Sequence, residues 1–193
     1  MRRRQPRSWI LLISAICALA YFSLQYSTTD WMTPSAPVEA QRYPDTYLQG
    51  VRNVQYNEQG QVQYHLKANH LTHYEALPEP YSVIKQPRLL LESDSTAEAP
   101  WEIVAERGIR FPRRQQISLE EAVHAWSLHP QHGQVDIFTD SLIVDAKQQF
   151  AHTQKPVTMR SAYGVTTAVG LEADIESGRI TLVSEVKGTY DPQ

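Results

Sequence analysis

Seven histidines and 21 carboxylates are the residues of this 193-residue chain best suited to bind a metal or move a proton. Two histidine pairs stand at spacing three, His70 with His73 and His129 with His132. Such pairs suit zinc where they converge in one coordination sphere. On a strand, however, residues three apart face opposite ways, so these could converge only in a turn. No trio of Cys, Asp or Glu stands at ligand spacing beside them. Cys17 is the only cysteine, which excludes an intramolecular disulfide and a cysteine-built zinc site. Glu120 and Glu121 are adjacent on an expected strand, one facing in and one out, so they do not make a paired acid and base. Arg113 and Arg114 follow Pro112 in an expected turn and read as a solvated pair. No G-x-S-x-G, H-E-x-x-H or phosphate-binding glycine loop occurs. An enzyme reading finds nothing to rest on, and neither metal nor cofactor is expected.

What the chain does carry is alternation. In "YNEQGQVQYHLKANHLTHY" (56–74), Val62, Tyr64, Leu66 and Ala68 alternate with Gln61, Gln63, His65 and Lys67. Period two is the strand period, and the tetrad Asn57 to Gly60, entered from Val54 and Tyr56, reads as a hairpin turn. The same pattern predicts strands at 61–69, 82–85, 88–92, 101–105, 108–111, 116–120, 123–127, 134–139, 141–145, 150–153, 157–161, 165–172, 173–176, 179–183 and 186–190. Turn residues separate them, at Pro112 to Arg114, Pro130 to Gly133, Ala146 to Gln148, and Ser177-Gly178. Twelve prolines and eight glycines suit a turn-rich β protein. An all-β sandwich, roll or solenoid follows.

A weak repeat supports stacked hairpins. "AERGIRFPRRQQISLEEAVHAWS", "TDSLIVDAKQQFAHTQKPVTMRS" and "AVGLEADIESGRITLVSEVKGTY" each read as strand, polar turn, strand, and then a valine opening another strand. Those valines are Val123, Val157 and Val186. Units of this kind can share one continuous inner face, although any β meander produces a similar pattern.

The N-terminus differs from the rest. Arg2, Arg3, Arg4 and Arg7 precede an apolar run from Trp9 to Leu24, with Tyr21, Phe22 and Tyr26 at its far end. As a helix, residues 9–26 would reach roughly 27 Å at 1.5 Å per residue, short but adequate for a bilayer core of roughly 30 Å. The arginines would stay cytoplasmic and send the remainder across the membrane. Ala18-Leu19-Ala20 also fits a signal-peptidase site, so cleavage is the rival reading. Residues 27–45 are polar with three prolines and read as a linker. Without the four arginines the chain has 14 bases against 21 acids, a net of −7. That balance argues against nucleic acid as a partner.

Taken in order along the chain, these segments resemble the LptC family of the lipopolysaccharide export machinery. The resemblance runs through the short anchor, "VQYNEQGQVQYHLKANHLTHYE", "IKQPRLLL", "WEIVAERG", "TDSLIVDAKQQFAHTQKPVTM" and the closing "LVSEVKGTY". Its marks are the Tyr-Asn turn with Gly, Ala68, the Gln86-Pro87 pair, Trp101, and a final valine, basic residue and Tyr190. The stretch His129 to Gln134 matches no family pattern. The resemblance implies a V-shaped, open, two-sheeted β-jellyroll over 46–193 behind a tail (1–8), a transmembrane helix (9–26) and a linker (27–45). It implies a single-pass inner-membrane protein with a periplasmic domain. Such a protein receives lipopolysaccharide from an ABC transporter of LptB, LptF and LptG and passes it to LptA, with the ATP chemistry belonging to LptB.

By matching to the family, Val51, Ile84, Ile180 and Tyr190 are expected to line the lipid groove. Alternation adds Tyr64, Leu66, Leu89, Leu91, Phe111, Leu119, Ile137, Leu142, Val144, Val169, Leu171 and Leu182. Val51 cannot share a face with Val54 and Tyr56 without a bulge. The resemblance places LptA at the C-terminal strand and LptF at the first strands, near Tyr47 to Tyr56. Two other readings stay open: a tethered adaptor whose sandwich is ordinary core, and a soluble LptA-like carrier after signal cleavage.

Overall fold

The computed structural model describes residues 43–75, 78–92, 99–129 and 133–190. The expected tail, the anchor at 9–26 and the linker up to residue 42 lie outside them. Among the described residues no helix is long and apolar enough to cross a membrane. Every regular element among the described residues is a strand.

β1 (Thr46–Tyr56) and β2 (Val62–Tyr74) form the first hairpin. The side-chain oxygen of Asn57 accepts the amides of Gln59 (3.0 Å) and Gln61 (2.8 Å), and Gly60 takes φ +80°. An Asx turn closed by a left-handed glycine is what this tetrad favours. Four short strands follow: β3 (Tyr81–Lys85), β4 (Arg88–Leu91), β5 (Trp101–Val104) and β6 (Arg107–Phe111). Five long ones complete the domain: β7 (Gln116–His129), β8 (Gly133–Asp145), β9 (Phe150–Ser161), β10 (Gly164–Asp174) and β11 (Arg179–Tyr190).

All pairings are antiparallel, in the order β11-β10-β9-β8-β7, after which the sheet divides. Residues 116–120 of β7 pair with β6, then β3, then residues 70–74 of β2. Residues 124–127 pair with β5, then β4, then residues 64–67 of β2. Two arms therefore share β2 and β7. Their inner faces meet in a single buried cluster, the layered arrangement of a β-jellyroll.

The line along which the sheet folds is marked by irregularities in strand after strand. β7 bulges at Glu121 and Ala122, both in the left-handed region. β8 and β9 shift register between Thr139 and Ile143. β10 turns at Gly170 (φ +84°), and β11 at Glu185 (φ +50°). β1 turns at Gly50 (φ +60°). Bulges bend a strand and raise its local twist, so an aligned series of them creases the sheet. Side chains bond across the broken ladder. Thr139 Oγ1 donates to the Pro156 carbonyl (3.0 Å) and Ser184 Oγ to the Val169 carbonyl (2.9 Å).

The crease corrects several sequence expectations. The strands expected at 116–120 and 123–127 are the two halves of β7. Those at 134–139 and 141–145 are halves of β8, those at 150–153 and 157–161 halves of β9, and those at 179–183 and 186–190 halves of β11. The strand expected at 173–176 does not exist as such, because β10 ends at Asp174 and Ile175 to Gly178 form the turn. Glu120 and Glu121 do not split in and out. Glu120 reaches Arg107 at 3.6 Å and Glu121 is exposed on the bulge.

Candidate functional site

The interior divides into a dense part and a part with room in it. Beside the crease, Ile84, Leu89, Leu119 and Val144 have no exposed surface. Packing there is so close that a Cβ added at Gly108 would lie 3.3 Å from the Pro87 ring. Farther out, between the two arms, lies an apolar cavity of about 30 Å³. One arm lines it with Leu91, Trp101, Ile103, Ala125 and Ile137, and the other with Leu142, Ala151, Leu171, Ala173, Ile175 and Ile180. The space follows from residue size. Ala125, Ala151 and Ala173 stand at inward positions, with Ala151 directly opposite Ala173. At those three points the facing layers have only methyl groups to fill the gap. The cavity is about the share of one water in the liquid, and its apolar walls offer a water few partners.

Ten of the expected groove residues lie in the buried cluster: Tyr64, Leu66, Ile84, Leu89, Leu91, Leu119, Ile137, Leu142, Val144 and Leu171. Val51, Ile180 and Leu182 are half-buried against it. Three expected residues stand apart. Phe111 is half-buried but outside the cluster, packed near Tyr81 and beneath the guanidinium of Arg114. Its strand turns the other face inward, because Gly108 is the position opposite Ile84 and Leu119. Val169 also stays outside the cluster. It pairs with Pro156 and Ser184, while its neighbour Ala168 is buried opposite Val157. The turn at Gly170 then restores Leu171 to the interior, so uninterrupted alternation misplaces Val169. Tyr190 is 70% exposed at the end of β11 and lies outside the buried cluster.

Sequence reasoning missed Trp101, Ile103 and the three alanines. The usable signal was an alanine at an alternating inward position, which marks reduced volume between layers. The parity conflict at β1 is resolved by the structure. Val51 packs inward opposite Ala68, Val54 and Tyr56 are exposed, and a register shift falls between Gln55 and Tyr56.

The cavity lies near an edge of the sheet. Ile180 and Leu182 are on β11, which pairs only with β10 among the described strands. At the other edge β1 pairs only with β2. Of the eleven exposed large hydrophobic residues among those described, seven belong to these two strands. They are Tyr47, Leu48, Val54 and Tyr56 on β1, and Val183, Val186 and Tyr190 on β11. An unpaired edge that is also apolar is a template for another strand.

Several polar residues hold neighbouring segments together. His73 bonds Ser82 and Glu75, each at 2.9 Å, and His70 lies against Tyr47. Arg113 donates to the Pro78 carbonyl and Arg114 pairs with Glu79, while both arginines stay exposed. Partial burial opposes ionisation of Asp136. Hydrogen bonds from His124 and Gln134, with the charges of His124 and Arg160, outweigh it and hold the carboxyl below its usual range. Asp174 is lowered by the Ser177 amide that closes the β10–β11 turn. Among the described residues no group of His, Cys, Asp and Glu could hold a metal ion. His132 lies outside the described residues.

No curated protein matches the chain. The family model described as "Lipopolysaccharide-assembly, LptC-related" matches residues 11–191, nearly the whole length. A β-jellyroll with an apolar interior fits that match, and the chain belongs to the LptC family of lipopolysaccharide transport proteins, which is not known as a family of enzymes.

Proposed function

We propose that the space between the arms receives acyl chains of lipopolysaccharide, and that the two edge strands join this domain to its neighbours in the export machine. One observation carries the reading. The apolar interior reaches the surface at the same strand, β11, that offers an unpaired edge with exposed Val183, Val186 and Tyr190. A partner strand added there would lengthen the sheet and the apolar interior together, by β-augmentation.

The energetics favour such a passage. An acyl chain of about twelve methylenes costs on the order of 10 kcal/mol to expose to water, at ~0.8 each. The cavity of about 30 Å³ holds far less than a chain, so in this reading lipid enters by parting of the arms. The alanine-lined region is where the layers are least filled. In this reading β11 meets LptA and β1 meets LptF, while the anchor holds the domain at the inner membrane with LptB, LptF and LptG. Tyr190, exposed in the free domain, becomes part of the continued groove once a partner pairs with β11.

Site-specific photocrosslinking tests it. A photoreactive residue at Ile180 or Leu182 is expected to capture lipopolysaccharide during ATP-driven export, and one at Phe111 is not. Equal capture at all three positions, or capture at Phe111 alone, refutes an interior route. Absence of capture at every position in a folded, export-competent protein favours the adaptor reading.

A further inference from the structure

The outer face carries a feature that the interior does not explain. The register places Arg52 directly opposite Lys67, and Lys67 directly opposite Arg88. All three side chains are exposed, behind the inward residues Val51, Leu66 and Leu89. Directly opposed residues in an antiparallel sheet hold their Cβ atoms about 4.5–5.5 Å apart, and like charges in that position oppose pairing. Arg88 is relieved by Glu102 on β5 and lies 5.8 Å over the Trp126 ring. His65, next but one along β2, has Glu92 at 3.9 Å. Among the described residues no carboxylate comes within 4.0 Å of Arg52 or Lys67.

The surroundings make this row unusual. Beyond residue 26 the chain has a net charge of −7, so acids were available to intersperse among the cations. Beside the row is a hollow of about 320 Å³ lined by His65, Lys67, Arg88, Leu90 and Glu102. Arg52, on β1, stands across Lys67 from it. Lys67 and Arg88 line the hollow, with Glu102 bound to Arg88, and Arg52 adds a third cation across from Lys67; an exposed row of this charge suits a phosphoryl group.

We propose that the row Arg52–Lys67–Arg88 is a phosphoryl-binding site on the outer face, distinct from the interior. The ligand chemistry is that of a phosphate ester, carried by a free anion or by a lipid headgroup. The inference does not depend on the interior holding lipid.

Mutual repulsion gives the test a sign. Thermal unfolding of the full chain in a neutral detergent at low salt is measured with and without inorganic pyrophosphate, and in micelles doped with phosphatidylglycerol. Without anion, Lys67→Gln is expected to raise Tm by about 1–3 °C, because it removes two like-charge contacts. The gain should shrink as salt screens the row. Pyrophosphate is expected to stabilise the unmodified chain, with its half-saturating concentration raised at least fivefold in Lys67→Gln and in Arg52→Gln. Lys155→Gln, which removes an exposed cation on β9 outside the row, should keep the full response. A response to doped micelles without one to pyrophosphate assigns the site to a lipid headgroup. The proposal is overturned if neither anion stabilises the unmodified chain, or if both glutamine variants keep its response.

Discussion

Replacing Leu182 by arginine separates a lipid route from ordinary core. Leu182 is half-buried on the edge strand β11, directly opposite Leu171, which is 1% exposed. At an edge the arginine stem can lie along the sheet while the guanidinium reaches water. The cost is then about half the burial of a leucine, on the order of 1 kcal/mol. A typical domain has about 5–15 kcal/mol to lose, so the variant stays folded, with Tm lowered by about 2–4 °C. The same change at Leu171 has no such exit and leaves a charge buried and unpaired, which costs several kcal/mol.

The effect on binding is set by the same geometry. A guanidinium at the β11 edge occupies the place where an acyl chain would leave water. Keeping even two methylenes exposed costs about 1.6 kcal/mol, more than a tenfold loss in affinity. The assay is titration of lipopolysaccharide into the purified chain, comparing the unmodified protein with Leu182→Arg and Leu182→Ala. Leucine to alanine should weaken binding modestly, and leucine to arginine by at least tenfold. A folded Leu182→Arg protein that binds lipopolysaccharide as tightly as the unmodified chain would refute the assignment of this edge as the mouth.

Other consequences follow from the crease and the edges. Gly170→Ala places a Cβ 2.9 Å from that of Val183 at a φ of +84°, so a loss of about 1–3 kcal/mol is expected in thermal or urea unfolding. Val186→Asp or Tyr190→Asp on exposed β11 should leave Tm within about 1 °C of the unmodified chain yet abolish copurification with LptA; retained copurification places that partner elsewhere. Asp136 is lowered in the folded state, so its contribution is present above the ordinary carboxylate range and is lost as pH falls through the lowered value. Asp136→Asn should therefore be less stable than the unmodified chain near neutral pH, and the two curves should meet in acid.

Most of the strands were legible because period-two alternation is imposed by one wet and one buried face. The places where that pattern failed are the more informative part. Four of the breaks between expected strands, at 121–122, 140, 154–156 and 184–185, fall on the crease, where long strands pass from one arm to the other. Each read as the end of a strand because a bulge shifts the inward parity and interrupts the alternation. Val123, Val157 and Val186, which open the repeated segments, are the residues that follow those bulges. Val123 and Val157 each pair with Thr139 and are buried, whereas Val186 is exposed because β11 has no further neighbour. Each repeated segment covers a hairpin, β6–β7, β8–β9 or β10–β11, whose second strand is creased.

The same cause limits what could be read of the site. Alternation identifies inward residues along an unbroken half-strand, which is why Leu89, Leu91, Leu142 and Val144 were found. It carries no information across a left-handed residue, so Val169, one step before Gly170, was assigned to the wrong face. Phe111 was also placed by alternation, on a short strand where the pattern takes the other face and the inward residue is Gly108. Large apolar residues attract attention in a sequence, but room between two layers is made by small ones. The cavity between the arms exists because Ala125, Ala151 and Ala173 face inward where leucines could have stood. Filling it is thus a sharper test of function than emptying it. Ala151→Leu, opposite Ala173, should cost no more than about 1–3 kcal/mol in overpacking. If acyl chains pass between the arms, it should weaken lipopolysaccharide binding well beyond what that stability loss explains. Unchanged binding in a folded Ala151→Leu protein would show that the chains do not use this gap.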